Sequence, residues 1–298
     1  MLLDSGKLSK DIIKLLTYFD LFDYPLTSWE IWQLLPVKCS YHTALQALEE
    51  PNKWHDDQGF YYLQNHIATR QHRYNISDKK FKRAKKITRL FSFLPWIRMV
   101  CLANIIGQHN LKDKGDIDLF IITKQNRIWI TRQFCVMILK ILRLRPTAKR
   151  FVNTICLSFM IDDHNLNLES LMLNQDADNR DRYFTYWLAG IQPLYGINAY
   201  NELIKQNQWI ISYLPNWQPA KPIYRRIVKD KSLNVVEKLF GWAEPWTKKF
   251  QYKVMDLNIK EQMNKSTNVV VNDHVLKLHV KDGREKYYQE YLNNLNYG

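Results

Sequence analysis

The segment Gly115-Asp116-Ile117-Asp118-Leu119-Phe120-Ile121-Ile122 sets two carboxylates two residues apart at the head of an apolar, β-branched run. In a strand, residues i and i+2 point to the same side, so Asp116 and Asp118 project together while Ile117 and Leu119 point the other way. Adjacent carboxylates repel, and a pair of this kind persists where a cation neutralises it. Oxygen-only ligands suit a hard ion such as Mg²⁺, which takes one or two carboxylates together with substrate phosphates. The implied chemistry is metal-assisted phosphoryl or nucleotidyl transfer. Asp-x-Asp by itself also fits a solvated junction between loop and strand.

The surrounding elements give the pair a context. Upstream lies the apolar segment Met99-Val100-Cys101-Leu102, followed by Ala103-Asn104 and a polar stretch with Gly107, His109, Asn110, Lys112, Asp113 and Lys114. The order is strand, small-residue turn, connecting segment, strand with Asp-x-Asp. This order resembles the polymerase-beta-like nucleotidyltransferase superfamily. Tyr18-Phe19-Asp20-Leu21-Phe22-Asp23-Tyr24-Pro25-Leu26-Thr27 looks like the start of a winged-helix domain. The chain is similar to a prokaryotic branch that joins such a domain to a nucleotidyltransferase core. The similarity extends to Leu94–Val100, Pro193-Leu194-Tyr195-Gly196 and Val275–Val280.

The resemblance implies that Asp116 and Asp118 are catalytic and hold Mg²⁺ against a nucleoside triphosphate. It implies that the turn at Ala103 and Asn104 binds the nucleotide by bringing backbone N–H groups to the phosphates. The superfamily has Gly-Ser or Gly-Gly there; the Cβ of Ala103 crowds that approach, while Asn104 keeps a hydrogen-bonding side chain. A third carboxylate is expected from a neighbouring strand. The strand over Ile155–Ile161 has none in its interior. Ser158 occupies that place, or Asp162 or Asp163 reaches in from the strand's end; Asp162 is the candidate third metal ligand.

The 298 residues imply two or three domains, and a hydrophobic content of 46% suffices for real cores. Lys plus Arg number 43 against 29 acids, a formal charge of +14. That balance favours a polyanionic partner, either nucleic acid or an acidic membrane face. Cys39, Cys101, Cys135 and Cys156 contain no Cys-x-x-Cys pair, which argues against zinc and fits a reduced, cytoplasmic setting. The start Met-Leu-Leu-Asp lacks the pattern of a secretory signal. Residues 128–144 are apolar, but Arg132, Gln133 and Lys140 interrupt them, so a buried helix is expected rather than a span, with no membrane partner.

The fold class expected is α+β: an N-terminal winged helix over 1–75, a nucleotidyltransferase-like mixed sheet with helices over 76–190, and a helical C-terminal region over 191–298. Apolar positions Leu8, Ile12, Leu15, Leu16 and Phe19 have helical spacing, and Pro25 ends that run. Thr27 or Ser28 caps a second helix and Ser40 a third. A turn at Asp56-Asp57-Gln58-Gly59 between aromatic runs reads as a hairpin. The third helix offers Tyr41, His42, Thr43 and Gln46 but no Arg or Lys, which suits a structural role at least as well as base reading.

Residues 77–93 form an expected basic amphipathic helix with Ser77 and Asp78 at its start. Lys79, Lys82, Arg83, Lys86 and Arg89 of this helix, with Arg225 and Arg226 of a second cluster, are the candidate nucleic-acid contacts; a solvated face is the alternative. Asp178–Gly190, Ile197–Leu214 and Ser232–Met263 read as helical, and Val269–Val271 and Val275–Val280 as short extended segments. His109 reads as a solvated loop residue, and His274 and His279 suggest no site. Two functions stand open. One is Mg²⁺-dependent transfer of an NMP from an NTP to an acceptor hydroxyl, with RNA favoured over DNA as partner. The other is a non-catalytic nucleic-acid-binding protein with a degenerate core. Oligomeric state is left open.

Overall fold

The computed structural model describes residues 5–50, 53–103, 109–147, 149–173, 181–230 and 240–297. The N-terminal elements form where their caps lie. Helix α1 (Ser5–Asp20) ends before Pro25, and the short strand β1 (Leu26–Thr27) follows. Thr27 caps helix α2 (Ser28–Leu34) in a capping box with Glu30. Ser40 caps α3 (Tyr41–Glu49) by accepting from the Thr43 N–H. Strands β2 (His55–Asp57) and β3 (Phe60–Tyr62) join through Gln58 and Gly59, both at positive φ, the geometry of a two-residue hairpin turn. β1 pairs with β3 to complete a three-stranded sheet.

Helix α4 (Ile67–Phe91) starts ten residues before the expected basic helix and runs across residues 75 and 76. Ser77 is not a cap: it is buried, and its hydroxyl accepts from the Leu111 N–H. Arg70 holds the helix's first half in place through a two-pronged pair with Glu30, and Arg73 through Asp23 and Asn110. Helix and N-terminal elements are thereby one packed unit.

The second sheet has the order β7-β4-β5-β6-β9-β8. Its strands are β4 (Ile97–Leu102), β5 (Ile117–Thr123), β6 (Ile155–Asp162), β7 (Gln192–Tyr195), β8 (Val269–Val271) and β9 (Val275–Leu278). Only β5 and β6 are parallel, and helix α5 (Ile128–Ile141) connects them. Period-two alternation sorts the side chains into two cores. Ile117, Leu119 and Ile121 join one core with α4 and α5; Phe120 and Ile122 join the other with α1 and with α6 (Arg182–Gly190). A sheet apolar on both faces has to be covered on both, and it is.

The C-terminal region is mostly helical, with the expected extended segments at Val269–Val271 and Val275–Leu278 and one strand, β7, that was not expected. It supplies helices α7 (Ile197–Gln206), α8 (Trp209–Tyr213), α9 (Glu244–Val254), α10 (Leu257–Gln262) and α11 (Arg284–Tyr297), and also three strands of the main sheet. β7 escaped the pattern because it is four residues long and contains Pro193, which a strand tolerates at a sheet edge. Among the described residues no helix is long and apolar enough to cross a membrane.

Gly196 follows β7 at φ +75, and a Cβ there would lie 1.8 Å from the Arg98 carbonyl oxygen. Gly59 also has positive φ, but in open space. Gly196→Ala is expected to lower stability by about 3 kcal/mol or more, and Gly59→Ala by only about 1 kcal/mol. Urea unfolding of both variants checks this; equal losses would show that backbone conformation alone matters.

Candidate active site

Asp116 precedes β5 and Asp118 is its second residue. Both line a cavity of about 710 Å³ on the face of the sheet that α6 covers. Ala103, at the end of β4, lines the same cavity, and its N–H donates to the Asp118 carbonyl at 3.0 Å. Three of the sequence-expected residues therefore converge. Asn104 lies outside the described residues.

β6 contributes next to the pair. Asp118 pairs with Cys156 and Phe120 with Phe159, so Leu157 and Ser158 together oppose Leu119 alone. This bulge lets Cys156, Ser158 and Phe159 all face the cavity. Ligand-capable atoms of Asp116, Asp118 and Cys156 lie within 4.8 Å of one another. Burial, and then the charge of Asp116, pushes the Asp118 carboxyl up to about 7. Burial likewise raises Asp116 against the pull of Lys80. The Cys156 thiol is pushed well up by burial and by both carboxylates, so it stays protonated and donates to Asp118.

Lys80 fixes the approach to this pair. The basic helix was expected to face its cations outward, but Lys80 is buried, and its Nζ donates to the carbonyls of Lys112 and Gly115 at 2.5 and 2.6 Å. Burial lowers its pKa, opposed by Asp116, Asp113 and Asp118.

Asp162 is not a third ligand. It pairs with Thr123 at the far end of β6, six residues beyond Cys156, or about 20 Å at strand rise. Its fully buried carboxylate is already engaged there, by His274 at 2.7 Å, by Asn165 and by the His164 N–H. Asp163 sits beside it and accepts from Gln125 and Arg98.

The opposite wall comes from β9 and the chain after it, which sequence reasoning missed. Lys277 and His279 alternate with Leu276 and Leu278, so both face the cavity; that alternation of polar and apolar residues was the available signal. The His279 ring lies 2.8 Å from the Ser158 hydroxyl. Burial and the nearby Lys277 push it down to about 4, leaving it neutral at pH 7. Lys277 pairs with Asp282 at 3.1 Å, and Arg284 with Asp282 at 2.9 Å and Asp181 at 2.7 Å, all four side chains being buried. Burial and Arg284 bring Lys277 down to about 8. Tyr183, Phe184 and Trp187 of α6 form the apolar side, with Tyr183 stacked on Tyr287 at 5.6 Å.

The basic residues gather elsewhere. Lys79, Lys82, Arg83 and Lys86 line a groove of about 620 Å³ with Leu142, Leu144 and Asn153, against the other face of the sheet. Lys82 also pairs with Asp78 at 2.8 Å. Arg89 and Arg225 are exposed. Arg226 is not a surface contact: it is buried, its guanidinium lies 4.0 Å from the Phe81 ring centroid, and it meets His109 at 2.7 Å. His109 is correspondingly packed between aromatic rings rather than solvated.

No family model matches the chain, and no curated protein or solved structure matches it.

Asp118 titrates in the folded chain near 7, above the ordinary 3.8, so between these values the folded state holds a proton that the unfolded state releases. Stability from this group is therefore present at low pH and lost as pH rises towards 7. Asp118→Asn is expected to raise Tm by about 2–4 °C at pH 8 in chelator and by clearly less at pH 5, where only part of the loss has accumulated. Thermal unfolding at both pH values checks this; no difference between them would show that Asp118 is ionised throughout.

Proposed function

We propose that the chain is a Mg²⁺-dependent nucleotidyltransferase that moves an NMP from an NTP to an acceptor hydroxyl, with RNA the favoured partner. The observation that carries this reading is the convergence of Asp116 and Asp118 on one large cavity. Its volume lies within the range of small-molecule sites. The donor set fits the ion through its two carboxylates, whose oxygens suit a hard cation, with the Cys156 thiol beside them. Mg²⁺ bound there would neutralise charge on the transferring phosphoryl group and on the departing pyrophosphate. Asp116 and Asp118 would hold the ion, and Lys80 keeps their loop in place through the Gly115 carbonyl. Tyr183 offers an aromatic edge to the base, while the exposed Lys281 adds positive charge along the cavity wall. The acceptor oxygen forms its bond to the α-phosphorus as the bond to the bridging oxygen breaks.

The winged-helix-like N-terminal elements and the groove on α4 suit a nucleic-acid partner in this reading. A second reading, a non-catalytic nucleic-acid-binding protein with a degenerate core, draws support from Cys156. A thiol stands beside the pair where the superfamily resemblance expects a carboxylate.

Calorimetry with NTP and Mg²⁺ tests the first reading. Asp116→Asn and Asp118→Asn are each expected to weaken Mg²⁺-dependent NTP binding by about tenfold or more; undiminished binding in both would sink the metal site. Transfer of radiolabel from NTP to total RNA separates enzyme from binding protein. Neutralising Lys79, Lys82, Lys86 and Arg89 together is expected to weaken binding to a mixed oligonucleotide, each lost phosphate contact lowering the log–log salt slope by about one. An unaltered slope would leave that groove a solvated face.

A further inference from the structure

The outward face of α9 is unlike the rest of the surface. Its inward side is fully engaged. Glu244 accepts from the N–H groups of Trp129 and Ile130, buried Gln251 bonds the Trp129 carbonyl, and Tyr252 packs on the Trp129 ring. The helix is thus pinned to α5, and its free side has a fixed orientation. Trp246, Phe250 and Val254 recur every four residues along that side, at 69%, 52% and 61% exposure; Trp242, in the short 3-10 turn before the helix, is 74% exposed and Leu257, after it, 71%. Residues four apart on a helix form one stripe. Monomeric soluble proteins rarely leave large aromatic side chains in such a row.

Lys249 and Lys253 lie on the same exposed side, between the apolar residues. Neither has a carboxylate partner among the described residues, whereas Lys248, turned towards β9, pairs with Asp273 at 2.7 Å. A flat apolar protein partner would have to bury those two ammonium groups unpaired, at considerable cost. A lipid headgroup layer suits both chemistries. Tryptophan and phenylalanine rings sit at headgroup depth, and lysines reach up to phosphates. The chain's formal charge of +14 adds attraction to an anionic surface.

We infer that the Trp242–Leu257 face docks the protein peripherally on an anionic lipid surface. This narrows the sequence expectation of no membrane partner to the absence of a spanning helix. The inference stands independently of nucleotidyl transfer.

The test uses the full chain and vesicles of phosphatidylcholine with or without phosphatidylglycerol, by sedimentation and tryptophan emission. Binding to the anionic vesicles with a blue shift, weakened by salt, is expected. Trp242→Ser with Trp246→Ser and Phe250→Ser should reduce partitioning by about tenfold or more, and Lys249→Glu with Lys253→Glu should remove the preference for anionic lipid. These side chains are solvent-facing, so circular dichroism melting should be unchanged. Failure to bind anionic vesicles, or equal binding by the triple serine variant, overturns the inference. So does a concentration-dependent dimer that the serine variant abolishes, which would assign the face to a second copy of this chain.

Discussion

A sheet covered on both faces has no room for a charge without a partner, and that constraint shapes the whole cavity. Most of the buried polar side chains around it are held by hydrogen bonds or ion pairs. Lys80 reaches from one helix layer to the loop that presents Asp116. Cys156 donates to Asp118, and Ser158 meets His279. Lys277, Asp282, Arg284 and Asp181 close the opposite wall as a buried network of two cations and two anions. Asp116 and Asp118 sit side by side on this wall, with Lys80 acting on both and Cys156 donating to Asp118.

The same network ties the C-terminal segment to the strands that line the cavity. Arg284 begins α11 and also bonds the Leu171 carbonyl, Thr267 and Asn268. α11 then packs against α1 and α6, so the N-terminal elements, the cavity cover and the chain's end share one core. Aromatic contacts knit that junction: Tyr18 touches Tyr186 and Tyr291, and Phe22 touches Tyr287. The cover of the cavity and the N-terminal elements therefore rest on a common set of packed side chains.

Local rules made part of this legible in sequence. Caps at Thr27 and Ser40 and the Gln58-Gly59 turn are encoded within a few residues, and the structure has them there. The shared face of Asp116 and Asp118 follows from strand period alone. What failed depended on distance through space. Asp162 is near Cys156 in sequence but at the wrong end of the strand. Lys80 and Arg226 read as surface cations because composition carries no information about which carbonyl or ring will lie above them. His279 was passed over because its partner, Ser158, is 121 residues away. β7 was hidden by its brevity and by Pro193.

The bulge at Leu157-Ser158 has a consequence for how this chain can change over time. Before it, alternate residues of β6 send Cys156 to the cavity and Ile155 to the opposite core; after it, the phase is inverted and Phe159 and Ile161 take the cavity side. The extra residue works as a phase shifter in the strand. Deleting Ser158 would restore regular pairing with Phe159 still opposite Phe120 and Ile161 still in its core, but it would remove the hydroxyl that meets His279. Point substitution at Cys156 or Ser158 leaves that phase intact. The strand beyond the bulge is thus indifferent to the extra residue, and what the bulge adds is one more polar side chain on the cavity wall.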